Sequence, residues 1–402
     1  MIKYIDEVGI MNKRVLVRVD YNISFKKDLP AGRQVRSIND DTRIKNSLPT
    51  LQLLLKGNNT LILMSHLGKP KGRDMTFSMK PVAERLQTYF PDYKVVLIND
   101  FIAEQPLLTD AVNRAHTIII LENTRFYEGE KKNDPEFSKQ LADLAEVFVD
   151  DAFGSVHRAH ASTVGVAAFL PSYGGLLLKK EVTIIKKVIE APEKPVIAII
   201  AGAKVSSKIG LIEKLMKVAD TIIIGGAMAN NFLMAKGLEI GKGLVELDYI
   251  TEAKRLIELA TMNGKKIILP TDRRIGLQSD ETTEPLIKNV QAVQKDDETL
   301  DIGPESEKLF ADIISQAKTI IWNGPVGYFE NPQFAKGSIS IYNAIIGNSS
   351  ASSVLGGGDT LSVIKKLPNH DKITHISTGG GAMLELIEKG TLPGLEALEN
   401  RG

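Results

Sequence analysis

The tightest constraint on this chain is a repeated one: short aliphatic runs that stop abruptly at polar residues or glycine, with helix-like stretches between them. In the first half the runs are residues 14–20, 60–64, 94–98, 117–121 and 147–149, and stretches such as 43–56, 78–90 and 135–145 separate them. In the second half they recur at 195–200, 221–224, 266–270, 319–322, 352–355 and 374–377. A run with no polar side belongs to a strand covered on both faces, and strands alternating with helices build a parallel sheet. The expected fold class is α/β, with two doubly wound parallel-sheet (Rossmann-like) domains. Ligands of such sheets bind beyond the carboxyl ends of the strands.

A chain of 402 residues has the length for two domains. Between the two sets of runs, residues 172–191 place Leu178, Val182, Ile185 and Ile189 at spacings of three and four, one face of an amphipathic helix. Pro192 and Pro195 stop it. It reads either as an ordinary core helix or as a hinge helix joining domains at 1–171 and 192–389. Residues 25–39 carry Pro, Gly and several charges without periodicity and read as a surface loop with no assigned role.

The totals remove several classes of function. Lys+Arg is 50 against 49 for Asp+Glu, a formal charge of +1, so nothing draws the whole molecule to nucleic acid or to an anionic membrane. With no cysteine, thiol nucleophiles, disulfides and cysteine metal sites are excluded. The start, MIKYIDEVGI, is unlike a signal peptide, and the expectation is a cytoplasmic protein without a membrane partner.

The two halves end their strands in different chemistry. The first half offers Asp20, Asn22, His66, Arg125, His157, Arg158 and His160, with Arg43 at the start of the following helix. One Arg is most often a solvated surface residue. Several cations at one sheet edge suit an anionic ligand bearing phosphate or carboxylate, whose geometry matches a guanidinium fork. No His/Asp/Glu spacing resembles a zinc site, so the histidines read as donors. The second half ends its strands mainly in glycine, at 202, 225–226, 324, 356–358 and 379–381, with Lys204 and Lys208 nearby. One glycine pair is usually a tight turn. Repeated glycine-rich strand-to-helix turns let backbone N–H groups and helix dipoles approach phosphates. Asp359 reads equally as a Mg²⁺ ligand and as a helix cap. No G-x-x-x-x-G-K-[ST], no G-x-G-x-x-G after a strand and no H-R-D kinase signature is present. A small anion in one half and a nucleotide in the other suit phosphoryl transfer, which needs mainly positioning and charge neutralisation. Nothing stands out as a general base, which fits an acceptor already ionised, such as a carboxylate.

The segments RVDYNIS, DDTRI, SHLGKPKG, LENTRFYEGE, DDAFGSVHRAHAS, GAKVSSKI, GGAMANNFL, DIGPES, WNGPVGYFE, GGGDT and STGGGAMLEL occur in that order. Together the chain resembles the phosphoglycerate kinase family nearly end to end. The resemblance implies a monomeric hinge-bending enzyme interconverting 1,3-bisphosphoglycerate plus MgADP with 3-phosphoglycerate plus MgATP by direct in-line transfer. It implies that Asp20, Tyr21, Asn22, Arg43, His66, Leu67, Gly68, Lys69, Arg125 and Arg158 hold the phosphoglycerate. Lys208, Glu330, Gly357, Gly358, Asp359 and Thr360 would hold the nucleotide, with Asp359 near Mg²⁺. Arg43, Lys204 and Gly380, in the glycine-led helix start at 379–381, would stabilise the transferring phosphoryl. Residues 390–402 would return to the first domain.

The chain departs from the family pattern in four places. Lys69 replaces a common Arg, Ala201 replaces a Gly where a methyl would crowd the nucleotide, Ile23-Ser24 replaces Val-Pro, and the 25–39 loop is long. Two rival readings are a two-domain nicotinamide-dependent dehydrogenase, which lacks its glycine fingerprint, and a two-lobed solute-binding protein, which lacks an export signal.

Overall fold

A computed structural model of the chain describes residues 1–25 and 38–399. Most of the loop read at 25–39 lies outside the described residues; at its ends Phe25 and Ile38 form an antiparallel bridge. The chain divides into two compact units. One is Met1–Thr183 joined by the segment that begins at Thr391, and the other is Ile184–Gly390.

The first unit is built on β1 (Arg14–Arg18), β2 (Thr60–Met64), β3 (Lys94–Ile98), β4 (Thr117–Leu121), β5 (Val147–Asp150) and β6 (Ser172–Gly174). They form one sheet in the order β3-β4-β2-β1-β5-β6, parallel at every pairing. Alternate residues of β1, β2 and β4 pack beneath the helix Thr42–Lys56, whose Ile44, Leu51 and Leu54 are buried, and the helix Lys80–Gln87, which buries Val82 and Leu86. Each such side chain contributes roughly 1.5–3 kcal/mol by leaving water. The helix Thr42–Lys56 carries Pro49 in its interior. The short helix Pro393–Glu399 also packs here, burying Leu395 and Leu398, with Gly394 N donating to Val156 O at 2.8 Å.

The second unit holds β7 (Val196–Ile200), β8 (Thr221–Ile224), β9 (Lys266–Ile268), β10 (Asp272–Ile275), β11 (Leu286–Asn289), β12 (Thr299–Ile302), β13 (Thr319–Asn323), β14 (Ser352–Gly356) and β15 (His375–Ile376). Six of them form a parallel sheet in the order β15-β14-β13-β7-β8-β9. Its core includes Ile199, Ile223, Ile320, Trp322 and Leu355. β11, β10 and β12 form a separate antiparallel sheet that the aliphatic runs did not announce.

The segment 172–191 is not one helix. Ser172–Gly174 is the edge strand β6, and the helix runs Leu176–Glu190. Gly175 separates them, and a Cβ there would sit 2.2 Å from Asp151 Oδ1. That carboxylate oxygen instead accepts the first helical N–H groups, from Leu177 at 2.9 Å and Leu178 at 3.2 Å. The buried face is Leu178, Val182, Ile185 and Val188. Ile189, expected inside, is only half-buried, because the stripe continues by three residues rather than four. The division between the two units falls within this helix.

Candidate active site

In each six-stranded sheet the chain runs outward from two central strands in opposite directions, and the crevice beyond the strand ends at such a reversal is where open α/β sheets take their ligands. In the first unit the reversal lies between β1 and β5, and the expected cations gather there. Arg18, the last residue of β1, is buried at 1% exposure. It donates from Nε to Ser162 Oγ at 3.0 Å, from Nη2 to His66 Nδ1 at 3.0 Å and from Nη1 to Val19 O. Asp20 follows β1 and pairs with Arg43. Burial opposes its ionisation, but Arg43, His66 and Arg18 outweigh burial and lower it to about 2.

Arg125 sits in the turn after β4, held by Asn123 Oδ1, which accepts its backbone N–H at 3.1 Å, and by Gly68 O, which accepts from Nη1. Its Nε is buried with no partner among the described residues. Burial, Arg158 and Arg18 together lower the guanidinium to about 10. Arg158 Nε contacts His157 Nε2 at 3.1 Å. His66 is driven well below the usual imidazole range, first by burial and then by Arg18. Burial lowers His160 to about 4 against the pull of Glu130. The site is therefore a set of crowded guanidinium cations with neutral imidazoles, an arrangement that an anion relieves.

Two of the expected site residues have their side chains in the core. Tyr21 is fully buried in the core with its hydroxyl 2.8 Å from Ser47 Oγ, and Leu67 is in the same core. Each lies beyond the end of its strand but on the same alternation as Val17 and Leu63, which share that core. Asn22 Oδ1 accepts from Gly68 N at 2.8 Å and so shapes the loop. Gly68 has φ +62°, and a Cβ there would strike the Phe77 ring at 2.3 Å, so only glycine fits. Lys69 is exposed.

In the second unit the reversal lies between β7 and β13. Lys208 Nζ bridges them, donating to Asn323 Oδ1 at 2.6 Å and to Ala201 O. Burial lowers it to about 8, partly offset by Asp359. Asn323 Nδ2 donates to Gly356 O at 2.7 Å, and Thr360 Oγ1 accepts from Gly324 N at 2.7 Å. Gly357 has φ +111°, and a Cβ on Gly380 would lie 2.6 Å from Gly357 backbone atoms. The helices Gly358–Ile364 and Gly380–Lys389 therefore start side by side. Lys204, Gly358, Asp359 and Glu330 are exposed, while Thr360 is buried. The methyl of Ala201 lies in the core cluster with Val326 rather than free at a ligand surface.

Among the described residues no group of three His, Cys, Asp or Glu is placed to hold a metal ion. Mg²⁺ bound with a nucleotide needs one or two carboxylates, the rest coming from phosphate oxygens and water. A single Asp359 in the first turn of its helix beside Lys208 fits that donor set. No described helix is long and apolar enough to cross a membrane.

Sequence reasoning gave no role to Arg18, Glu130, Ser162 or Asn323. Arg18 had a signal: it is a charge inside an aliphatic strand that the parallel-sheet reading already covers on both faces. Glu130 had none, since EGEKK reads as a solvated helix.

Comparison with known proteins extends this picture over the whole chain. The phosphoglycerate kinase family model matches residues 5–390. The phosphoglycerate kinase of Finegoldia magna is 43% identical over 401 residues, 99% of each chain. That of Thermus thermophilus is 45% identical, covering 96% of this chain and 97% of its own. The solved phosphoglycerate kinase of Coxiella burnetii superposes with a TM-score of 0.88 at 36% identity, covering 100% of both chains. The dehydrogenase and solute-binding readings find no support among these relatives. With matched sequence, matched fold and the two crevices in hand, this chain belongs to the phosphoglycerate kinase family.

Proposed function

We infer that the chain moves a phosphoryl group between 1,3-bisphosphoglycerate and MgADP, giving 3-phosphoglycerate and MgATP, with one substrate held by each unit. The observation that carries the division of labour is the contrast between the two crevices: guanidinium groups with an unpartnered Arg125 Nε in one, glycine-led helix starts around Lys208 in the other. Arg125, Arg158, His66 and Arg43 bind the phosphate and carboxylate of the phosphoglycerate, and Asp20 keeps Arg43 in place. The half-buried contact between Asn22 and Gly68 orients that end of the site, and the exposed Lys69 adds a charge at its rim.

Lys208 and the N–H groups leading the helices Gly358–Ile364 and Gly380–Lys389 take the nucleotide phosphates. Thr360 accepts from Gly324 N and braces the β13 turn while its hydroxyl proton serves a nucleotide phosphate, and Glu330 reaches the nucleotide from its loop. Mg²⁺, when bound at Asp359, neutralises phosphate charge. Lys204, Arg43 and the N-terminus at Gly380 meet the charge that develops on the transferring phosphoryl. The acceptor carboxylate is ionised at neutral pH and requires no base. Transfer in line demands that the two substrates approach, so closure about the connecting helix belongs to this reading. We read the enzyme as a monomer of the cytoplasm, on the family resemblance; light scattering on the eluting peak checks the first.

The test is ATP consumption by the purified protein with Mg²⁺, with and without 3-phosphoglycerate, beside Lys204→Ala. Turnover should depend on 3-phosphoglycerate and fall about 10²–10³-fold in the variant. Turnover indifferent to 3-phosphoglycerate would overturn the reaction. Full turnover in the variant would remove the role given to Lys204.

A further inference from the structure

We infer that Glu130 is a positioning residue for the acceptor site, acting through Ser162 and Arg18 to hold His66 with its proton on Nε2. This rests on the reading above that His66 binds phosphoglycerate. Glu130 is fully buried, although the short helix that carries it, Glu128–Lys132, is otherwise made of Gly129 and charged residues. Its Oε1 accepts from Ser162 Oγ at 2.7 Å and from Thr124 Oγ1 at 3.2 Å, and its Oε2 accepts from Ser162 N at 3.0 Å.

A serine hydroxyl has one hydrogen, and here the carboxylate takes it. Ser162 Oγ is left as an acceptor, and Arg18 Nε donates to it at 3.0 Å. The guanidinium plane is thereby fixed, and Nη2 reaches His66 Nδ1 at 3.0 Å. A guanidinium has no lone pair to offer, so His66 Nδ1 must be the acceptor and the ring proton must sit on Nε2. His66 then presents one N–H donor to the ligand and no charge. Arg18, which donates only, sets the direction of its bonds to Ser162 and His66, and Glu130, which accepts only, fixes Ser162 and so the place of the guanidinium. Glutamine in place of Glu130 puts an amide donor against either the Ser162 N–H or its hydroxyl, and the serine that seats the Arg18 guanidinium loses its fixed place.

The charged and titratable groups facing His66 are Arg18 of β1, Asp20 beyond it, Arg125 after β4 and Arg158 after β5. Those facing Glu130 are His160 and Arg125. A guanidinium does not give up its proton in the physiological range. Acceptor binding through His66 should therefore not follow an ordinary histidine titration.

The experiment uses the full chain, labelled with ¹⁵N. Long-range ¹H–¹⁵N spectra should show His66 as the Nε2–H form from pH 6 to 8, with its signal moving when 3-phosphoglycerate is added. Glu130→Gln should raise KM for 3-phosphoglycerate about tenfold while KM for MgATP stays within twofold. Ser162→Ala, which keeps the carboxylate and cuts the relay, should do the same, so that a folding failure of the first variant leaves the second to decide. A His66 proton on Nδ1, or an unchanged KM in both variants, would overturn the inference. A His66 signal that ignores 3-phosphoglycerate while remaining Nε2–H would overturn the binding reading on which it rests, a distinguishable result.

Discussion

At Arg125 the demand for an anion is visible in a single side chain. Its Nε is buried without a partner among the described residues, and Arg158 and Arg18 add like charge to the burial that lowers the guanidinium to about 10. An anion that supplies the missing acceptor should therefore stabilise the fold. Addition of 3-phosphoglycerate should raise the thermal midpoint of the wild type, following the logarithm of its concentration. Arg125→Lys keeps a charge but loses the fork, and KM for 3-phosphoglycerate should rise about 10–100-fold while KM for MgATP holds. A shift of both constants together would place Arg125 in the fold rather than at the ligand. Gly380 makes the matching case for the nucleotide. Gly380→Ala would press a methyl onto Gly357, which is already at φ +111°, and should cost about 1–3 kcal/mol in urea unfolding and weaken MgATP binding.

Among the elements, the start of the connecting helix carries an unusual cap. Asp151 is buried and accepts from Leu177 and Leu178, yet burial raises it to about 7. In the unfolded chain an aspartate titrates near 4. The native state thus holds the extra proton between those values. The stability this contributes is full below about pH 4 and is lost as pH rises through 7. Asp151→Asn keeps an accepting oxygen without the ionisation, so its urea midpoint should fall less than the wild type's between pH 5 and pH 8. An identical pH dependence in the two proteins would show that Asp151 is not the titrating group.

The elements also mark where sequence was legible. Runs such as TLILM and TIIIL announce β2 and β4 because strands covered on both faces must be aliphatic throughout. The antiparallel sheet was hidden for the opposite reason. β10 reads DRRI yet is buried, Arg274 being balanced by Glu307, while the apolar Leu286 of β11 lies exposed. β6 was absorbed into a helix because three residues are too few to show a period. Of the candidate site, Arg43, His66, Arg125 and Arg158 could be chosen as cations at a strand edge. Arg18 shows itself only as a charge inside an aliphatic strand, and Glu130 not at all, since only its burial among polar partners separates it from a solvated helix. Glu330 and the roles of Tyr21 and Leu67 came from family likeness, and the last two prove to be core side chains.

For the whole molecule, the two units are unequal in how the chain completes them. Ile184–Gly390 is continuous, whereas the other unit closes only with the segment beginning at Thr391. Leu392, Leu395 and Leu398 are buried there, each contributing roughly 1.5–3 kcal/mol. Against a total stability of about 5–15 kcal/mol, truncation after Gly390 should unfold the first unit. Calorimetric titration of the truncated chain should then show nucleotide binding retained and 3-phosphoglycerate binding lost. Retention of both would mean that the returning segment is dispensable.

That return sets an order on synthesis. The ribosome releases nearly all of one unit first and its closing piece last, with the whole of the other unit delivered in between. Domains generally mature as they emerge. Here the later-born unit can finish before the earlier one, whose nascent form must wait with the backbone carbonyl of Val156 and its surrounding apolar surface uncovered. A pause or frameshift near residue 390 would leave a chain whose nucleotide unit is sound and whose older half is the one chaperones and proteases meet.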